Sequence, residues 1–130
     1  MTQSALRDIV KTYDVRGLVA TQLTPEVARA LGAAFVNEVS LPGNAVVVGH
    51  DMRDSSPGLA KAFGEGVCSQ GGHIRSIGLC STDMVYYASG TWGLPAVMIT
   101  ASHNPATYNG FKFSRAGAQG ISLDTGLADI

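Results

Sequence analysis

A serine beside an imidazole, in a polar stretch that follows an apolar run, is the local chemistry of a nucleophile with a nearby proton acceptor. Ser102 and His103 stand in this relation within Thr100-Ala101-Ser102-His103-Asn104-Pro105. Adjacent residues of a strand point to opposite faces, so the pair need not touch. The same residues also suit plain turn hydrogen bonding ahead of Pro105. Lys112, between Phe111 and Phe113, would face away from those rings in a strand. It reads either as a solvated edge-strand lysine that guards against aggregation or as a cation brought close to Ser102 by a turn at Asn109-Gly110. Arg16, in Tyr13-Asp14-Val15-Arg16-Gly17, is either a planar fork for phosphate or a surface charge. In Gly49-His50-Asp51-Met52-Arg53-Asp54-Ser55-Ser56, Asp51 and Arg53 are expected to form a structural pair, because buried charges are generally paired. His50 and His73 have no identifiable partner and take no role.

The elements that must position these residues alternate between strand and helix. After an irregular start, Thr24 caps a helix, Pro25 suits its first turn and Glu26 favours its positive end. Val27, Leu31, Ala34 and Phe35 then recur at helical spacing and mark its buried stripe. Leu41-Pro42-Gly43-Asn44 turns the chain into Ala45–Val48, a β-branched run of the kind buried on both faces. Ser56-Pro57 opens a second helix with Leu59, Phe63 and Val67 inside, and Gly71-Gly72 stops it. His73 to Leu79 reads as a second buried strand. Ser81-Thr82-Asp83 caps a third helix carrying Met84, Tyr87 and Ala88, followed by a loop from Gly90 to Leu94. Ala96–Ile99 is the third strong strand, and Phe111-Lys112-Phe113 should return antiparallel to it after the Asn109-Gly110 turn. Ser122 onward resembles the start of one more helix. The succession predicts an α/β fold: a layered, mixed, mostly parallel sheet with helices on both faces and the last strand antiparallel. In such sheets ligands sit off the carboxyl ends of the strands, where the Gly49–Ser56 and Thr100–Pro105 stretches converge.

The 130 residues suit one domain with a single core. At 45% hydrophobic and 15% charged, the chain is not of a disordered type. A net charge of −1 provides no field for nucleic acid or an anionic membrane, so neither is an expected partner. Cys68 and Cys80 lack metal-ligand spacing, and both are expected reduced and at least half-buried. No signal-peptide pattern opens the chain and no run is long enough to span a bilayer, so a cytoplasmic location is expected.

Three ordered stretches, Tyr13–Gly17, Gly49–Ser56 and Thr100–Pro105 with Asn109-Gly110-Phe111-Lys112, resemble the motifs of the alpha-D-phosphohexomutase family. The resemblance runs from about Ile9 to Lys112. The Tyr-Asp-x-Arg-Gly start and the Asn-Gly-Phe-Lys strand are more similar to the phosphomannomutase/phosphoglucomutase branch than to the phosphoglucosamine mutases. Ser81-Thr82-Asp83-Met84 departs from the Thr-Pro pattern common in that branch.

This resemblance implies a first, serine-bearing domain over residues 1–130, with hexose phosphate and the family's remaining domains as its partners. Ser102 would be carried as phosphoserine and exchange its phosphoryl group with the 1 and 6 positions of a hexose phosphate through a bisphosphate. A phosphoryl oxygen on Ser102 would bind Mg²⁺, His103 would orient the transferring group, and Lys112 would supply charge or a proton. Tyr13 and Arg16 would line the site. The family's Asp-Gly-Asp-x-Asp metal loop does not occur in this sequence, so neither turnover nor ordered Mg²⁺ is expected of the chain alone. The alternative is a binding module that keeps the fold without catalysis. A nucleotide-binding domain would need a Gly-x-Gly-x-x-Gly or Walker loop, and a serine hydrolase a Gly-x-Ser-x-Gly elbow; the chain has none of them.

Overall fold

Val46, Val47 and Val48 are consecutive, so their side chains alternate between two faces, yet all three are buried. A strand of that kind needs a layer above and a layer below. The computed structural model describes residues 15–18, 23–39, 45–52, 55–100, 108–115 and 119–120. Their elements are β1 (Val15–Leu18), α1 (Pro25–Val39), β2 (Ala45–His50), α2 (Ser56–Ser69), β3 (His73–Leu79), α3 (Thr82–Trp92), β4 (Ala96–Ile99), β5 (Tyr108–Arg115) and β6 (Gln119–Gly120). The sheet runs β1-β5-β4-β2-β3, with β6 also paired to β5. β2 is parallel to β3 and β4, while β5 is antiparallel to β4, β1 and β6. The expected mixed α/β sheet with an antiparallel return strand is therefore present.

Its two faces are covered unequally. Val46, Val48, Val97, Ile99, Phe111 and Phe113 meet the apolar stripes of α1 and α2 in the larger core. Phe35, Phe63, Phe111 and Phe113 form its centre, with the Phe35 and Phe113 ring centroids 4.7 Å apart. The opposite face carries Val47, Ala96 and Met98 beneath Val85 and Ala88 of α3. The crossing of α1 and α2 is tight because two glycines face backbone. A Cβ on Gly66 would run into the Arg29 carbonyl, and one on Gly32 into the Phe63 carbonyl. Thr24 caps α1 as expected, its hydroxyl accepting from Val27 N at 3.3 Å. That hydroxyl and the local backbone hold the exposed Glu26 carboxyl below its ordinary range.

Several expectations need correction. The start of the chain contains a strand, since β1 pairs in register with β5 from Val15↔Phe111 to Leu18↔Tyr108. β3 is an edge strand and largely exposed, not buried on both faces. It is interrupted by a bulge where Gly49 pairs with Gly78, and Gly78 takes φ 67° there. α3 continues through Gly90 to Trp92 before Gly93 ends it in the left-handed region, so the expected loop shrinks to its last residues. Its inner residues are Val85, Ala88 and Ser89; Met84 and Tyr87 point to solvent. Ser55 occupies the cap position of α2, with no side-chain cap bond. Cys68 is exposed and Cys80 half-buried. The segment from Ser122 lies outside the described residues.

Candidate functional site

Parallel strands β2, β3 and β4 deliver their carboxyl ends to one rim, and antiparallel β5 begins at the same rim. Asp51, Cys80 and Thr100 are the first residues past those strand ends, and backbone bonds hold the first two in place. Asp51 N donates to Ile99 O at 3.1 Å, and Cys80 N donates to His50 O at 2.9 Å. His50 is not without a partner, since its Nδ1 lies 3.0 Å from Asp51 O.

Arg53, the expected partner of Asp51, lies outside the described residues. Among the described residues the Asp51 carboxylate receives two hydroxyls. Ser56 Oγ donates to Asp51 Oδ1 at 2.6 Å, and Thr100 Oγ1 donates to Oδ2 at 2.7 Å. These short bonds belong to the charge-assisted class.

Asn109 and Gly110 are not a turn. They lie within β5, where Asn109 is fully buried. Gly110 N donates to Asn109 Oδ1 at 2.8 Å, which fixes which end of the amide is oxygen. The nitrogen end then donates to Ser55 Oγ at 2.8 Å and to Ser56 Oγ at 2.9 Å. Because Ser56 accepts from Asn109, its own proton is directed to Asp51. Thr100 N donates to Gly110 O at 2.9 Å and completes a closed circuit: Thr100, Asp51, Ser56, Asn109, Gly110. Ser56, Asn109 and Thr100 are all buried, so each polar atom in this circuit replaces water with a protein partner.

A crevice of about 400 Å³ opens beside this circuit, lined by Asp51, Met52, Cys80, Ser81, Thr82, Met98 and Thr100. The first turn of α3 forms one wall, capped where Ser81 Oγ accepts from Met84 N at 3.2 Å. A helix amino end carries partial positive charge and favours an anion. Burial raises the Cys80 thiol above its ordinary value, opposed in part by a hydrogen bond with the His50 backbone, so Cys80 is a neutral wall residue at physiological pH.

Of the site residues expected from the sequence, Tyr13, Ser102 and His103 lie outside the described residues. The backbone of Arg16 lies in β1, opposite Gly110. Lys112 is half-buried in β5, opposite Met98, a residue of the crevice wall. It does not stand on an edge strand, because β5 has neighbours on both sides. Sequence reasoning missed Thr100 and Asn109 as fixed points of the rim. The available signal was a polar residue directly after a wholly apolar strand, and an Asn-Gly pair with no loop left for it once Tyr108 joins the strand.

Residues 7–127 match the family described as phosphoglucomutase/phosphomannomutase, alpha/beta/alpha domain I. A protein named "Phosphohexose mutases" from Xanthomonas campestris pv. campestris is 43% identical over 92% of this chain. A "Phosphomannomutase" of Klebsiella pneumoniae is 40% identical over 92% of the chain and 76% of its own length. The crystal structure of a phosphoglucomutase/phosphomannomutase family protein from Burkholderia thailandensis superposes with a TM-score of 0.86 at 34% identity, over 99% of this chain and 29% of that one. The chain spans 27% of the Xanthomonas protein's length. No helix among the described residues is long and apolar enough to cross a membrane. With its sheet, its strand-end rim and nearly its whole length matched, this chain belongs to the phosphoglucomutase/phosphomannomutase family, whose first domain it represents.

Proposed function

We propose that this chain is the phosphoserine-bearing domain of a mutase that moves phosphate between the 1 and 6 positions of a hexose phosphate, mannose or glucose. Ser102 is the covalent carrier in this reading. In the first half-reaction the Ser102 Oγ–P bond breaks as a bond from phosphorus to a sugar oxygen forms, giving a hexose bisphosphate. The sugar hydroxyl loses a proton and Ser102 Oγ gains one. The second half-reaction reverses these changes at the other sugar oxygen and restores phosphoserine.

The observation that supports this most is the circuit at the rim. The stretch containing Ser102 leaves the sheet at Thr100 and rejoins it at β5, and both of these points belong to one hydrogen-bonded ring beside the crevice. Phosphoryl transfer depends on alignment and charge stabilisation more than on a strong nucleophile. A fixed base for the carrier and a crevice with a helix amino end in its wall meet those two needs. Lys112 adds a cation or a proton carrier in the neighbouring strand, His103 orients the transferring group, and Tyr13 and Arg16 contact the substrate.

Mg²⁺ would be held through the Ser102 phosphate. Among the described residues no group of three or more His, Cys, Asp or Glu is placed to bind a metal, and both oxygens of Asp51 already accept hydroxyls. The described residues do not by themselves fit the ion, and its carboxylates would come from the further domains of the longer protein.

The test is to incubate the full-length protein carrying this chain with a hexose 1,6-bisphosphate, digest it, and map phosphate by mass spectrometry. Phosphate on Ser102, absent from Ser102→Ala, is the expected result. An active preparation that never carries phosphate at Ser102 excludes the carrier role.

A further inference from the structure

We propose that Asn109 is a positioning residue for phosphoryl transfer, acting through its amide nitrogen on the first turn of α2. The inference rests on the reading of Ser102 as carrier, and it assigns the alignment of that carrier to a residue well outside the Ser102 stretch. Asn109 occupies the place where the chain returns to the sheet after that stretch. Its side chain is fully buried and its two ends do different work. The oxygen accepts from Gly110 N within the same strand, while the nitrogen reaches Ser55 and Ser56 of another element.

Of the two ends of the side chain, only the nitrogen reaches another element. Through Ser56 it reaches Asp51, and through Asp51 it reaches Thr100, where the chain departs. The departure and return points are thus referred to one turn, at the start of α2, rather than each to its own strand. The direction of the hydroxyl bonds in the circuit is set by the amide donors of Asn109 and the two acceptors of Asp51. A residue of the same shape without those donors breaks the relation between the two ends and leaves β5 itself intact.

This distinction makes the proposal testable with two variants of the full-length protein. Asn109→Ala removes both ends of the amide. Asn109→Asp keeps the shape and the Gly110 bond but cannot donate; it draws the Ser56 proton away from Asp51 and sets a second carboxylate beside the first. The expected result is that both lose kcat by on the order of 10²-fold with KM nearly unchanged, as misalignment of a carrier does. Thermal melting should show Asn109→Asp folded, and hydrogen exchange should show Gly110 N protected in Asn109→Asp and exposed in Asn109→Ala. Ser55→Ala, which removes one acceptor at a half-buried position, should give a smaller loss of kcat in the same direction.

Loss of kcat in Asn109→Ala alone would mean that the strand bond, not the link to α2, carries the effect, and would overturn the proposal. So would unchanged kcat in a folded Asn109→Asp, or a rise in KM at constant kcat. Should Asn109→Asp fail to fold, Ser55→Ala decides by the same kcat and KM criteria. If the unaltered protein turns over without phosphate on Ser102, the carrier reading fails by itself. The exchange of the Thr100 amide in Asn109→Asp then still reports whether the nitrogen end holds the circuit together.

Discussion

Ser102 and Lys112 stand in different relations to the proposed chemistry, and their removal should separate them. A covalent carrier has no substitute, so Ser102→Ala should abolish transfer. In the proposed chemistry Lys112 would contribute charge or a proton from the neighbouring strand, help that is typically worth about 10²–10⁴-fold. Lys112→Ala in the full-length protein should therefore retain measurable turnover. Because Lys112 is only half-buried and faces away from the four-phenylalanine core, both variants should melt close to the parent. Equal loss at both positions, or a greater loss at Lys112, would count against serine as carrier. At this scale the sequence was partly legible. The chemistry-bearing types and their order pointed to the rim, but the hydrogen bonds that organise it were hidden. Charge suggested Arg53 as the partner of Asp51 but gave no hint that the half-buried carboxylate takes hydroxyl donors from Ser56 and Thr100. Asn-Gly is a strong turn signal only where the chain has room to turn. Here Tyr108 to Arg115 is a continuous strand, and burial gives Asn109 a different task.

At the scale of elements, the strands buried on both faces were legible because runs such as Ala45–Val48 and Ala96–Ile99 have no polar side to show. Helix starts were legible from Thr24-Pro25 and Ser81 for the same reason, that a few residue types satisfy exposed backbone donors. β1 and the exposure of β3 were not, since both depend on which strand happens to lie alongside. The contact between α1 and α2 gives a sharp expectation. With Gly66 against the Arg29 carbonyl, an added methyl has no side chain to push aside, only backbone. Gly66→Ala gains helix propensity of about 1 kcal/mol, but overpacking of this kind costs about 1–3 kcal/mol, and rigid backbone places it at the upper end. The expected outcome is a net loss of stability, read as a lower denaturation midpoint at unchanged slope in urea. A raised midpoint would show that the helices separate easily.

At the scale of the whole molecule, the described residues present one well-covered face and one that α3 alone among them covers, with Met84, Tyr87 and Leu79 exposed. Its proposed role makes it one part of a longer catalyst, in keeping with relatives of which it spans 27%. The chain purified by itself should unfold cooperatively, on the strength of its larger core, yet give no turnover with glucose 1-phosphate or mannose 1-phosphate plus a bisphosphate activator. Robust turnover in a coupled assay would mean that these residues suffice. The circuit at the rim also has a consequence for the order of folding. Asp51 and Thr100 are separated by 49 residues, and Ser55 and Asn109 by 54. Closing such distant pairs comes at an entropic cost that local helices do not bear. The bonds to Asn109 can form only when β5 settles beside β4. The proposed seat of the carrier thus exists only once β5 is in place, and a working site would itself be the sign that this part of the sheet is finished.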